Sequence, residues 1–251
     1  MPSARVLEVK NLSKSYGGVH AVESADLTLH RGEIVALVGS NGAGKSTLIS
    51  MLSGVASPDS GAINLDGTLS TFRSPAEARE LGIETVYQTL ALIDTLDIAQ
   101  NIFLGRENYS GWSFWGWLAD RRMRARATEL LETLGLTVDT RKNVSALSGG
   151  QRQAVALARA MQFETKIVIL DEPTAALGVQ ETKATLAIVD RFRQEGLAVL
   201  LVSHNMSDVF SLADRIVVMR GGRTIVNVLT KDTDQKEIVG WITSGLEGGD
   251  R

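Results

Sequence analysis

The sequence predicts an α/β fold: a mainly parallel sheet at the core, an antiparallel β subdomain, and an inserted α-helical subdomain. Three features lead there. The chain starts rich in β-type segments and then alternates apolar strands with helix-period stretches. The run Ile34-Val35-Ala36-Leu37-Val38 is continuously apolar, as a strand covered on both faces requires. From 89 to about 144 the pattern turns helical, which marks an insertion. The expected layout is one domain over 1–251, with 1–88 and 145–251 forming the core and β subdomain and about 89–144 the helical subdomain.

In order, residues 5–10 read as a strand, and 25–30 alternate as a half-buried strand does, with Leu27 and Leu29 on the apolar face. Ser15-Tyr16-Gly17-Gly18 between them reads as a loop carrying one aromatic. Arg31-Gly32 turns the chain into strand 34–38, and a helix at 46–52 follows. Ser57-Pro58-Asp59-Ser60-Gly61 is a turn, and 62–67 a strand and turn. Ser74 is placed to cap a helix with Pro75 at its first position and Gly82 at its end. Residues 83–88 form a short strand. Met123, Ala127, Leu130, Leu131 and Leu134 recur at helical spacing, closed by Gly135. Ser148 caps a helix running from 149 to about 163. A buried strand at 167–170 ends in Asp171-Glu172, and a helix at about 180–194 precedes a strand at 197–202 that ends at Ser203-His204. Strands at 216–219 and 224–228 flank Gly221-Gly222, and a short helix from 234 leads into a polar, Gly-rich end.

Composition sets bounds on function. With 44% apolar and 22% charged residues, the 251-residue chain can bury a sizeable core, and a net charge of −3 disfavours a broad nucleic-acid-binding surface. The absence of cysteine excludes disulfides, thiol catalysis and thiolate metal sites. Residues 1–9 carry one arginine and no apolar segment, so no secretory signal is expected. The longest apolar runs, such as 197–202, are too short to span a bilayer, so membrane association is expected only through a partner.

The chemistry centres on Gly39-Ser40-Asn41-Gly42-Ala43-Gly44-Lys45-Ser46-Thr47, which fits G-x-x-x-x-G-K-[ST] between a strand and a helix. Its glycines let backbone N–H groups turn inward on phosphate oxygens, and the helix that follows aims its positive end at the same point. Lys45 supplies a mobile charge for the β- and γ-phosphates, and the Ser46 hydroxyl is a ligand for Mg²⁺. This motif in this context predicts a nucleotide triphosphate binder with a P-loop NTPase core. Asp171 and Glu172 stand at the carboxyl end of an apolar strand, where α/β sheets bind ligands. Asp171 is the candidate to hold the Mg²⁺ hydration shell, and Glu172 the candidate base for the attacking water. Leu147-Ser148-Gly149-Gly150-Gln151 reads either as an ordinary helix cap or as a second anion site with exposed N–H groups. A nucleotide shared between two chains would account for two anion sites.

These motifs, in this order, resemble the ATPases of ABC transporters, and the resemblance runs from Val6 to about Val228. It implies ATP as the bound nucleotide, Tyr16 as the aromatic stacked on adenine, and Gln88 as the glutamine that contacts Mg²⁺ and the attacking water and senses a membrane partner. It further implies that Ser148 to Gln151 close over the γ-phosphate bound by a second copy, and that His204 contacts that phosphate. In the family an Asp often stands where this chain has Gly178, after Ala175-Ala176-Leu177. The run Thr174-Ala175-Ala176-Leu177, with Asn101-Ile102-Phe103-Leu104-Gly105-Arg106-Glu107, is similar to single-cassette ATPases of bacterial ribose, xylose and fructose importers. The resemblance therefore implies a second ATPase subunit and integral-membrane permease subunits as partners. It also implies, indirectly, an extracytoplasmic sugar-binding protein, with the chain peripheral at the cytoplasmic face of the inner membrane. Nucleic acid is not an expected partner.

Two other readings come from different classes. A soluble ATP-driven clamp of this fold, acting on nucleic acid or ribosomes, would be expected to carry paired cassettes, long coiled coils or basic extensions, and none is visible. A regulator without turnover would not need Glu172, Gln88 and His204. Trp112, Phe114, Trp115 and Trp117, beside Arg121, Arg122, Arg124 and Arg126, read either as a subdomain core with a solvated helix face or as a contact surface for a permease loop or lipid headgroups.

Overall fold

The computed structural model describes residues 4–105, 113–162, 164–175 and 177–244, with backbone alone over 113–119. In chain order the elements are β1 (Arg5–Tyr16), β2 (Val19–His30), β3 (Ile34–Val38), α1 (Lys45–Leu52), β4 (Ser60–Leu65), β5 (Thr68–Ser70), α2 (Pro75–Glu80), β6 (Ile83–Val86), α3 (Ile98–Ile102), α4 (Ser113–Thr133), α5 (Gly149–Ala160), β7 (Ile167–Asp171), α6 (Val179–Gln194), β8 (Ala198–Val202), α7 (Met206–Leu212), β9 (Arg215–Arg220), β10 (Arg223–Leu229) and α8 (Gln235–Ser244). They divide into two compact units, one of Met1–Thr85, Thr165–Glu172 and Phe192–Arg251, the other of Val86–Glu164 and Pro173–Arg191.

The first unit is built on a sheet. Its strands run in the order β5-β4-β1-β2-β10-β9-β3-β8-β7-β6. The central strands β9, β3, β8 and β7 pair in parallel, whereas β2, β1, β4 and β5 form an antiparallel meander. All five residues of β3 and of β8 are buried, as their unbroken apolar runs require. Each such Val, Leu or Ile side chain contributes about 1.5–3 kcal/mol on leaving water. Helix α1 adds Leu48, Ile49, Met51 and Leu52 to the same core. Ser74 accepts a hydrogen bond from Glu77 N at 3.3 Å and Pro75 opens α2, as the capping pattern predicts.

The sequence pattern underestimates the first hairpin. Strands β1 and β2 extend to Tyr16 and from Val19, so Ser15 and Tyr16 lie in a strand and only Gly17-Gly18 turns. The reason is bulging. The β1–β2 register shifts between Val9 and Leu12 and again between Leu12 and Lys14, and Asn11 takes a φ of 49°. Each shift breaks the alternation by which a strand is read.

The second unit is helical, but residues 89–97 are not. They form a loop in which Leu90 and Ala91 have positive φ, a conformation no helix accepts. Asn101, fully buried, staples this loop: its Oδ1 accepts from Ile93 N at 2.7 Å, and its Nδ2 donates to the carbonyls of Ile93 and Asp97 at 3.0 Å each. Asp97 and Gln100 cap α3 reciprocally. In α4, Ala127, Leu130 and Leu131 are buried at the predicted helical spacing, and Leu134 continues that face just past its end. Helix α5 stops at Ala160, short of 163, because the backbone tightens into a turn at Met161 and Gln162. Trp112, Arg106, Glu107, Ala176 and the Gly-rich end lie outside the described residues, as do the side chains of Phe114, Trp115 and Trp117.

The Asn101 staple carries a prediction. Asn101→Ala leaves several part-buried backbone groups without their partner and should lower unfolding free energy by about 2–3 kcal/mol. Urea denaturation checks this; an unchanged midpoint would mean that the loop holds itself.

Candidate active site

The phosphate loop joins β3 to α1 in the first unit. Its shape depends on glycine at two points. A Cβ on Gly39 would sit 2.3 Å from Met219 O, and one on Gly44, where φ is 103°, would sit 2.7 Å from Ala21 O. No side chain fits either place. The loop is also tied from outside, since Gly222 N donates to Ala43 O at 3.1 Å and Gly222 O accepts from Glu23 N at 2.8 Å. Sequence reading gave Ala21, Met219 and Gly222 no part in the site. Only the sheet order that sets β9 against β3 could have shown it.

Ser40, Asn41, Gly42 and Ser46 are exposed, and Ala43 is buried as the loop's anchor. Lys45 lies half-buried, its ammonium donating to Gly39 O at 2.7 Å and Ser40 O at 2.9 Å. Burial pulls its pKa below the ordinary lysine value, and the charges of Glu172 and Asp171 pull it back up. The ammonium and the two acids therefore share one electrostatic environment.

Asp171 ends β7 and Glu172 follows it. Burial, and then the neighbouring charge of Glu172, raise the pKa of Asp171 above the usual carboxylate range, with Lys45 opposing. Glu172 holds a φ of 53°, a left-handed conformation costly for a residue with a side chain and commonest where function demands it. Its N–H donates to Val202 O at 2.9 Å, which fixes it beside the end of β8. His204, just past that strand, brings Nδ1 to 2.7 Å from Glu172 Oε2, with His204 exposed and Glu172 largely covered. Thus the phosphate loop, Lys45, Asp171, Glu172 and His204 belong to one unit, and the strand ends of β3, β7 and β8 hold them. Tyr16 is in the same unit at the tip of the β1–β2 hairpin, 51% exposed, with Lys14 Nζ 5.6 Å from its ring centroid.

The donor set suits a hydrated divalent cation. Among the described residues there is no group of three or more His, Cys, Asp or Glu able to cage a metal. Mg²⁺ keeps most of its water and asks for one or two protein oxygens, and a carboxylate disfavoured by burial and a neighbouring charge gains by meeting one. Asp171 and the exposed Ser46 hydroxyl are oxygens of this unit that could serve such an ion.

The second unit holds the other sequence-marked residues. Gln88 is exposed in a turn beyond β6, not within that strand. Ser148 caps α5, its Oγ accepting from Gln151 N at 3.3 Å while Gln151 Oε1 accepts from Ser148 N at 3.0 Å. The exposed N–H groups expected here are partly engaged. Gly150 N donates to Glu181 Oε1 at 3.2 Å. Gly149 is exposed and Gly150 half-buried.

Comparison with known proteins matches these features. The family model described as ABC transporter matches residues 22–175, which take in the phosphate loop, Ser148 to Gln151, and both acids. The chain belongs to the ABC transporter family. Within the family, it is 46% identical to the fructose import ATP-binding protein FrcA of Rhizobium meliloti, over 98% of this chain and 97% of that protein. It is 42% identical to the xylose/arabinose import ATP-binding protein XylG of Sulfolobus acidocaldarius, over 95% of this chain and 94% of that protein. The solved dimeric, post-hydrolysis structure of the ATP-binding cassette MJ0796, bound to ADP and Pi, superposes with a TM-score of 0.73 at 25% identity, covering 89% of this chain and 98% of that one. The fold and family read from the motifs are those of these relatives.

Proposed function

We propose that this chain is the ATP-hydrolysing subunit of an ABC importer that takes up a monosaccharide through a permease partner. The observation that carries this is the near full-length identity to relatives named as sugar import ATP-binding proteins, FrcA first. The same relatives favour the importer over a clamp acting on nucleic acid or ribosomes. No helix among the described residues is long and apolar enough to cross a membrane, so the proposed place at the cytoplasmic face of the inner membrane depends on permease subunits. An extracytoplasmic sugar-binding protein would present the substrate.

The roles follow from the chemistry of each group. Inward N–H groups of 39–47 and the Lys45 ammonium take the phosphates of ATP, the ammonium exchanging loop carbonyls for phosphate oxygens. Tyr16 offers its exposed ring to the adenine. Ser46 and Asp171 would hold Mg²⁺, which when bound offsets charge on the phosphates, and Gln88 keeps the Mg²⁺ contact that the family resemblance implies for it. Glu172 accepts the proton of the attacking water, and His204 Nδ1 orients its carboxylate. Ser148, Gly149, Gly150 and Gln151 of a second copy, or of a related subunit, complete the γ-phosphate site. ATP then draws two chains together, and hydrolysis releases them, a cycle in which the nucleotide has different contacts in each state.

Uptake by cells tests the proposal. Deleting the gene should abolish uptake of one radiolabelled monosaccharide, and the wild-type chain, but not Glu172→Gln, should restore it. Unchanged uptake of fructose, xylose, arabinose and ribose alike would overturn it.

A further inference from the structure

The carboxylate of Glu181 joins the N-termini of two helices. Oε1 accepts from Gly150 N at 3.2 Å, in the first turn of α5, and Oε2 accepts from Gly178 N at 3.2 Å, at the start of α6. The stem of Glu181 lies against Gly150 closely enough that a Cβ there would come within 3.0 Å of its Cγ. Glu181 is the third residue of α6, and Gly178 precedes that helix, so the bond to Gly178 is half of a capping box. The half that is missing needs a side chain at 178. The second bond, to a helix 31 residues earlier, is not a capping interaction of α6 at all. It places a negative charge on the N–H groups that begin α5, where the helix dipole favours an anion.

We propose that Glu181 is an internal competitor for the γ-phosphate. It rests on the reading that Ser148 to Gln151 close over ATP held by a second copy. In the single chain, Glu181 and the Ser148 cap between them satisfy the N–H groups of Gly150 and Gln151. For a γ-phosphate to take Gly150 N–H, the carboxylate must yield it, and while it stays its charge opposes the incoming triphosphate. Closure of two chains on ATP therefore proceeds against Glu181, and opening after hydrolysis is assisted by it. Glu181 is a positioning residue that sets the threshold for closure, and it does not touch the reacting atoms.

The test uses the whole chain in the Glu172→Gln background, which arrests hydrolysis, with sedimentation velocity at saturating Mg-ATP as readout. Adding Glu181→Gln keeps the shape, removes the charge and leaves a weaker neutral acceptor, so the dimer should form at roughly tenfold lower protein concentration. Adding Glu181→Ala should shift it in the same direction. Circular dichroism melts of both variants without nucleotide establish that they fold, and if Ala does not, Gln decides. A dimerisation midpoint that stays put, or moves to higher concentration as a purely structural clamp requires, overturns the proposal. If the Glu172→Gln parent itself does not dimerise with ATP, the shared-nucleotide reading fails instead.

Discussion

Glu172→Gln should reduce steady-state ATP hydrolysis by about a hundredfold to ten-thousandfold, the usual contribution of a general base, while ATP binding persists. The substitution is nearly isosteric and keeps the backbone that the bond from Glu172 N to Val202 O fixes. It therefore tests the carboxylate and not the fold. The left-handed φ of 53° at this residue is the physical reason for the choice. Such a conformation costs of order 1–3 kcal/mol and persists only where the surroundings hold it, here with the bond from Glu172 N to Val202 O. Removing the Glu172 charge also removes one of the two influences that raise Asp171, so the variant's Asp171 should ionise more readily. Phosphate release measured at saturating ATP, alongside equilibrium binding of a fluorescent ATP analogue, separates the two effects. Wild-type turnover in the variant would mean that another group accepts the proton.

Lys45→Met should weaken ATP binding by about tenfold to hundredfold, the worth of a charged hydrogen bond to phosphate, with little change in the stability of the nucleotide-free chain. The two halves of that expectation have separate causes. Burial holds the Lys45 pKa below its ordinary value, so the ammonium costs stability while charged, at every pH below the lysine range. Its bonds to Gly39 O and Ser40 O offset that cost. Methionine removes both, and its stem fills the same space. Thermal unfolding with and without Mg-ATP reads out each half: the melting temperature without nucleotide should hold, and the rise caused by ATP should shrink. A variant that melts early without nucleotide would show that Lys45 works chiefly as a brace for the loop.

The local parts of the site were legible in the sequence because local rules govern them. A strand buried on both faces reads as a continuous apolar run, and β3, β7 and β8 follow it. Glycine at 39 and 44, a cap at Ser148 and two acids at the end of β7 are each fixed by a few neighbouring residues. The rest depends on contacts between distant positions. The brace of Gly222 and Met219 under the phosphate loop exists only because β9 lies beside β3. The bond from Gly150 to Glu181 needs α5 and α6 to meet at their starts. Pattern also fails where the backbone departs from a period, as at the bulges of β1 and at Leu90 and Ala91. In that loop the structure depends on Asn101, a buried polar residue whose bonds to Ile93 N and to the carbonyls of Ile93, Leu96 and Asp97 no hydropathy pattern records.

In the proposed site Lys45, Asp171, Glu172 and His204 form one half, and Ser148 to Gln151 of another chain complete it. The most direct test is ATP hydrolysis per chain as a function of protein concentration at saturating Mg-ATP. A site shared between two chains should give a specific activity that climbs with concentration and falls towards zero on dilution, while ATP binding per chain stays constant. A specific activity that is the same for dilute single chains as for concentrated protein would contradict it.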